Sequence, residues 1–135
     1  MTINSCYTQQ EAGPGYRWAL FRDTPNWALA HAVQQEDTAR IHEIVQSGKV
    51  DVNFKEPKFG QTLLILAIAN GKLNSVAALL KSGADLSVRN LNDDQAIHEA
   101  CKFPDLRKHS AQMIEVLISY GADGCTQSHY FISAT

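Results

Sequence analysis

Apolar residues recur along the chain in paired clusters, each pair closed by a glycine. Three short apolar stretches align with one another: WALAHAVQQ from Trp27, TLLILAIANG from Thr62 and QAIHEACKF from Gln95. Their central alanines, Ala32, Ala67 and Ala100, are spaced 35 and 33 residues apart. A second apolar cluster follows each: Ile41, Ile44 and Val45; Val76, Leu79 and Leu80; Ile114, Leu117 and Ile118. Glycines come next, at Gly48, Gly83 and Gly121, and the last two open the same tripeptide, Gly-Ala-Asp.

A period near 34 residues predicts a repeated helix–turn–helix unit. Leu64, Ala67 and Ile68 stand at i, i+3 and i+4 and so share one face of a short helix. Leu73, Val76, Leu79 and Leu80 repeat that spacing on a second helix. Gly71 breaks the chain between the two, and Gly83 falls where a left-handed C-terminal cap is expected. A two-helix unit cannot cover both its faces alone, so the pattern predicts an all-α solenoid whose units bury one another.

The middle repeat, Thr62-Leu63-Leu64-Ile65-Leu66-Ala67, then Gly71, Val76, Leu79-Leu80 and Gly83-Ala84-Asp85, resembles the ankyrin repeat. That family's pattern is Thr-Pro-Leu-His-x-Ala, an inter-helix glycine, a Val/Leu-rich second helix and Gly-Ala-Asp. The third repeat keeps Ile97-His98 and Ala100, then Leu117-Ile118 and Gly121-Ala122-Asp123; the first is the most divergent and keeps Leu29, Ala32 and Gly48. The resemblance implies three repeats, at about 24–55, 58–89 and 91–123, between capping ends. Thr24-Pro25 falls three residues early for the family's Thr-Pro and reads as a lead-in, with Asn26 available as a helix cap. Trp27 replaces the family's threonine.

Residues 1–15 are polar, contain Gly13-Pro14-Gly15 and read as a flexible tether, leaving 16–135 as the folded domain. Tyr16, Trp18, Leu20 and Phe21 are aromatic and apolar enough to cover the first repeat. At the other end, residues 124–135 read as a cap, with Tyr130-Phe131-Ile132 placed to fold over Met113, Val116 and Leu117; a continuing array is the alternative. The third repeat carries five extra residues around Pro104–Lys108, a surface insertion or a partner-contacting finger.

Composition narrows the function. Hydrophobic residues make up 44% and charged residues 19%, which fits one folded domain in 135 residues. A formal net charge of −2 lacks the basic excess of a nucleic-acid binder. The longest apolar run, Leu63–Ala69, is far short of the ~20 residues needed to span a bilayer. Three cysteines, Cys6, Cys101 and Cys125, are too few and scattered for a disulfide scaffold, and Cys101 reads as a small buried residue. Gly13-Pro14-Gly15 lacks the lysine and hydroxyl of a phosphate loop, and neither a Gly-x-Ser-x-Gly elbow nor a His-Glu-x-x-His helix occurs. His31 and His42 fall on different helices, and Cys125 with His129 lacks the second pair a zinc site needs. His98 sits at the family's Thr-Pro-Leu-His position, which implies hydrogen bonds to backbone that tie repeats together. Asp94, His98 and Glu99 lie close enough in sequence to suggest acid–base chemistry, but Asp93 and Asp94 fall where carboxylates favour a helix N-terminus. The reading is a non-enzyme without metal or cofactor, and without nucleic acid or small-molecule substrate.

In the ankyrin family the inner helices and finger-like turns line a concave protein-binding surface. Carried onto this sequence by register, the inner-helix contact positions are Gln34, Gln35, Asn70, Lys102 and Phe103. The finger positions are Lys58, Phe59, Gln61, Leu91, Asn92 and Asp94, and Arg107 tips the insertion. Phe59, Leu91 and Phe103 are either interface anchors or local packing between turns.

The Trp27-Ala28-Leu29-Ala30 start is similar to that of small stand-alone bacterial ankyrin proteins. Some of these neutralise toxins or effectors, including phospholipases delivered by type VI secretion. That resemblance implies an immunity or inhibitor protein; the alternative is a scaffolding fragment of a longer ankyrin protein. As it stands the chain reads as cytoplasmic. Ile3-Asn4-Ser5-Cys6 loosely resembles the end of a bacterial lipoprotein signal, which would make Cys6 a lipidation site and the protein a periplasmic lipoprotein.

Overall fold

The computed structural model describes residues 16–102 and 109–122. The tether 1–15 with Cys6, the insertion with Phe103 and Arg107, and the C-terminal cap 124–135 lie outside the described residues. Six α-helices follow a 3₁₀ turn at Trp18–Phe21: α1 Trp27–Gln34, α2 Thr38–Gln46, α3 Leu63–Ala69, α4 Leu73–Lys81, α5 Ala96–Cys101 and α6 Ser110–Ser119. The described residues contain no strand.

Each helix pairs with its successor, α1 with α2, α3 with α4 and α5 with α6. The pairs then stack, with α1, α3 and α5 forming an inner row and α2, α4 and α6 an outer one. Ala32, Ala67 and Ala100 are buried in successive units, where a larger side chain would hold the helices apart. Ile41, Val76, Leu79, Met113 and Leu117 fill the space between the rows. Fully burying a side chain of this kind contributes about 1.5–3 kcal/mol.

Local signals act as the sequence implies, with two exceptions. Thr62 Oγ1 accepts from the Ile65 N–H at 3.2 Å and Asp37 Oδ1 from the Arg40 N–H at 3.2 Å, so α3 and α2 are capped at their heads. Gly71 crosses between α3 and α4 at φ 74°, and the Lys72 N–H returns to the Ala67 carbonyl at 2.8 Å. Glu36 performs the same crossing in the first repeat at φ 55°, strained for a residue with a Cβ, and the Asp37 N–H returns to Ala32. The first exception is Asn26. It stands at the head of α1 but does not cap it: its Nδ2 donates to the Asp51 carbonyl at 2.8 Å, pinning α1 to the end of its own repeat. The second is Asp94, which caps nothing and pairs with a lysine.

Polar bonds join the repeats at several heights. Ser75 Oγ donates to the Val33 carbonyl at 2.6 Å, and the Asp85 N–H donates to Asn53 Oδ1 at 2.7 Å. Trp27 rests edge-on against His31, ring centroids 4.5 Å apart, with the Arg22 guanidinium 5.8 Å from its ring.

Candidate protein-binding site

The two finger turns are built alike from different residues. In the first, the buried Glu56 carboxylate accepts from the N–H groups of Lys58, Phe59 and Gln61 at 2.7–3.1 Å. In the second, Asn90 Oδ1 accepts from Asn92 at 2.9 Å and Asp94 at 3.0 Å. Gly60 at φ 68° and Asp93 at φ 67° turn the chain at matching places. Such turns hold their own backbone donors and need no help from solvent to keep shape.

The fingers are also joined to each other. The Leu91 N–H donates to the Phe59 carbonyl at 3.0 Å, and Asn90 Nδ2 donates to Gln61 Oε1 at 3.0 Å. Gly60 lets them meet: a Cβ there would stand 3.0 Å from the Leu91 nitrogen. The pair forms one rigid edge, and Leu91 projects from it 70% exposed.

At the base of the second finger lies an ion cluster. Lys102 Nζ stands 2.7 Å from Asp94 Oδ2 and 3.4 Å from Glu99 Oε1, with its side chain 13% exposed and both carboxylates buried. Burial works against the charge on Lys102. The hydrogen bond to Asp94 and the fields of Glu99, Tyr16 and Asp94 outweigh it, so its pKa lies above the usual lysine value. His98, also buried, accepts at Nδ1 from the Gln95 N–H at 3.1 Å, closing the head of α5. Among the described residues no group of three His, Cys, Asp or Glu is placed to hold a metal.

The N-terminal lead does more than cover the first repeat. Trp18 and Phe21 are buried and their turn packs on α1. Beyond them the Tyr16 carbonyl accepts from Asn70 Nδ2 at the end of α3, at 3.0 Å, and the Tyr16 hydroxyl donates to Glu99 Oε1 on α5, at 3.2 Å. The lead therefore touches all three inner helices. Every residue of α3 and of α5 is buried, so neither inner helix keeps a free face for a partner.

The contact positions carried from the family thus divide. Lys58, Leu91 and Asn92 are exposed on the joined fingers, and Phe59 is half-buried beside them. Gln61 and Asp94 are buried and use their side chains inside the protein, Gln61 with Asn90 and Asp94 with Lys102. Asn70 is held by the lead. Gln35 is exposed, and with Trp27, His31 and Arg40 it lines a shallow cleft on the first repeat; Gln34 is half-buried on the same helix. Sequence reasoning missed Glu56, and it placed Tyr16 over the first repeat without its bonds to Asn70 and Glu99. For Glu56 a signal existed: an acid a few residues before a glycine, matching Asn90 before Asp93 in the next turn.

Cys101 is buried in the core. That agrees with its reading as a small buried residue; Cys6 and Cys125, the other cysteines, lie outside the described residues.

Comparison with known proteins agrees with the architecture. The family described as Ankyrin repeats (3 copies) matches residues 29–128. A probable serine/threonine-protein kinase of Dictyostelium discoideum is 36% identical over 99 residues, 67% of this chain and 11% of the relative. Protein PhlB of Serratia liquefaciens is 32% identical over 114 residues, 84% of this chain and 46% of the relative. Protein phosphatase 1 regulatory subunit 27 of Mus musculus is 30% identical over 93 residues, 67% of this chain and 55% of the relative. The chain thus spans between 11% and 55% of these relatives' lengths. The crystal structure of EF0377, an ankyrin repeat protein, matches with a TM-score of 0.57 at 24% identity, covering 73% of this chain and 46% of that one, a likeness of fold. With its stacked helix pairs, its joined fingers and this match, the chain belongs to the ankyrin-repeat family, whose repeats serve as protein–protein interaction modules.

Proposed function

We propose that this protein is a non-catalytic inhibitor of the immunity type, which blocks a toxin or secreted effector by covering its working surface. The observation that carries the reading is the rigid finger edge, where backbone bonds fix the tips and leave Leu91 and Lys58 projecting. A preorganised surface loses little entropy on docking and suits steric occlusion. Lys58, Phe59, Leu91 and Asn92 form the central contacts in this reading, with Gln35 at one side and Phe103 and Arg107 as further candidates. A type VI phospholipase effector is the sharper form of the partner.

A periplasmic location, with Cys6 the candidate lipid anchor, accompanies this reading.

A second reading, a scaffolding piece of a longer ankyrin protein, draws on the 11–55% of the relatives' lengths that this chain spans. Co-purification from the source cells separates the two. A tight one-to-one complex with a toxin or effector is the expected result. Recovery only within a large assembly would favour scaffolding and overturn inhibition.

A further inference from the structure

We propose that the cleft between the N-terminal lead and the first finger docks an acidic segment of the partner protein that also carries one large apolar side chain. This deepens the protein-binding reading above and rests on it. The lead supplies Ala19 and Leu20 to the cleft, and the finger supplies Pro57 and Phe59. Its volume, about 470 Å³, is within the range of ligand pockets and accommodates a large side chain with neighbouring backbone.

The rim sets the chemistry of the occupant. Arg17 borders the cleft from the lead and Lys58 from the finger, and both are exposed. Neither has a carboxylate partner among the described residues; the Lys58 ammonium stands 5.7 Å from the Phe59 ring. The one carboxylate lining the cleft, Glu56, is buried and directed into its turn, where three N–H groups hold it. Two unpaired cations over an apolar floor complement an acidic and apolar strand. A nucleic acid would instead seek a longer basic track, which a chain of net charge −2 does not favour.

Both walls are fixed before anything binds. Trp18 and Phe21 anchor the lead in the core, and the finger is held by Glu56 from within and by Leu91 from its neighbour. Ordering costs on docking therefore fall mainly on the incoming segment.

The test uses the full chain and a display library of random twelve-residue peptides. The wild type is expected to enrich peptides in which Asp or Glu flank Phe, Leu or Trp. An enriched peptide, labelled with fluorescein, should bind about tenfold more weakly to the Arg17→Glu, Lys58→Glu double variant and lose affinity as salt is raised. Both positions are exposed, so the variant should melt like the wild type. Enrichment without acidic residues, equal binding by the variant, or preference for a DNA oligonucleotide over the peptide would each overturn the assignment. If a co-purified partner binds the variant as well as the wild type, this cleft is refuted while the protein-binding reading stands.

Discussion

Tyr16 and Glu99 stand 83 positions apart in the chain and share a hydrogen bond of 3.2 Å. It fastens the lead to the third repeat and closes the inner row over a span that the repeats themselves do not bridge. Tyr16→Phe keeps the ring and removes the donor, which should cost about 1–2 kcal/mol in urea denaturation. It should also speed trypsin cleavage at Arg17 and Arg22, because the lead is less firmly held. Unchanged stability and cleavage would mean that the bond does not secure the lead.

Lys102 balances two buried carboxylates. Lys102→Met should destabilise the fold by about 3–5 kcal/mol at neutral pH, since Asp94 and Glu99 are left buried without their cation. The pH dependence has a definite sign. In the wild type the pKa of Lys102 is raised, so its contribution is intact below the unfolded lysine value and is lost as pH rises through the raised one. Denaturation curves of the wild type at several alkaline pH values check that slope.

Glu56 is the internal brace of the first finger. Glu56→Ala leaves the N–H groups of Lys58, Phe59 and Gln61 without their acceptor and should cost about 3 kcal/mol. Hydrogen exchange at those three amides should accelerate more than exchange within α4. Glu56→Gln keeps one acceptor oxygen and should fall between the two.

Gly60 combines a left-handed φ of 68° with a close approach to Leu91. Gly60→Ala should destabilise by about 1–3 kcal/mol, from backbone strain and from a Cβ pressed against the Leu91 nitrogen. The amide resonance of Leu91 should shift, reporting a displaced second finger; a silent Leu91 would show that the fingers are not in register through this glycine.

The helix pairs were legible because their signals are local and periodic: Ala32, Ala67 and Ala100 recur at the repeat length, and Gly71 and Gly83 mark the turns. Glu36 shows where that logic thins, since it makes the Gly71 crossing without a glycine. The lead across the inner row was not legible, because a Tyr16–Glu99 pairing leaves no pattern over any short window. Lys102 looked like a surface position by register, and only the fold brings Asp94 and Glu99 to it. Of the finger residues, the exposed Leu91 and Lys58 follow the family register. The burial of Gln61 follows instead from a hydrogen bond to Asn90, 29 positions on.

The Leu91–Phe59 bond runs from main chain to main chain, so it is indifferent to which side chains stand at those two positions. An array coupled in this manner keeps its shape while its tips are rewritten. Exchange of Leu91 or Lys58 for other residues therefore offers a route to new recognition that leaves the underlying stack untouched.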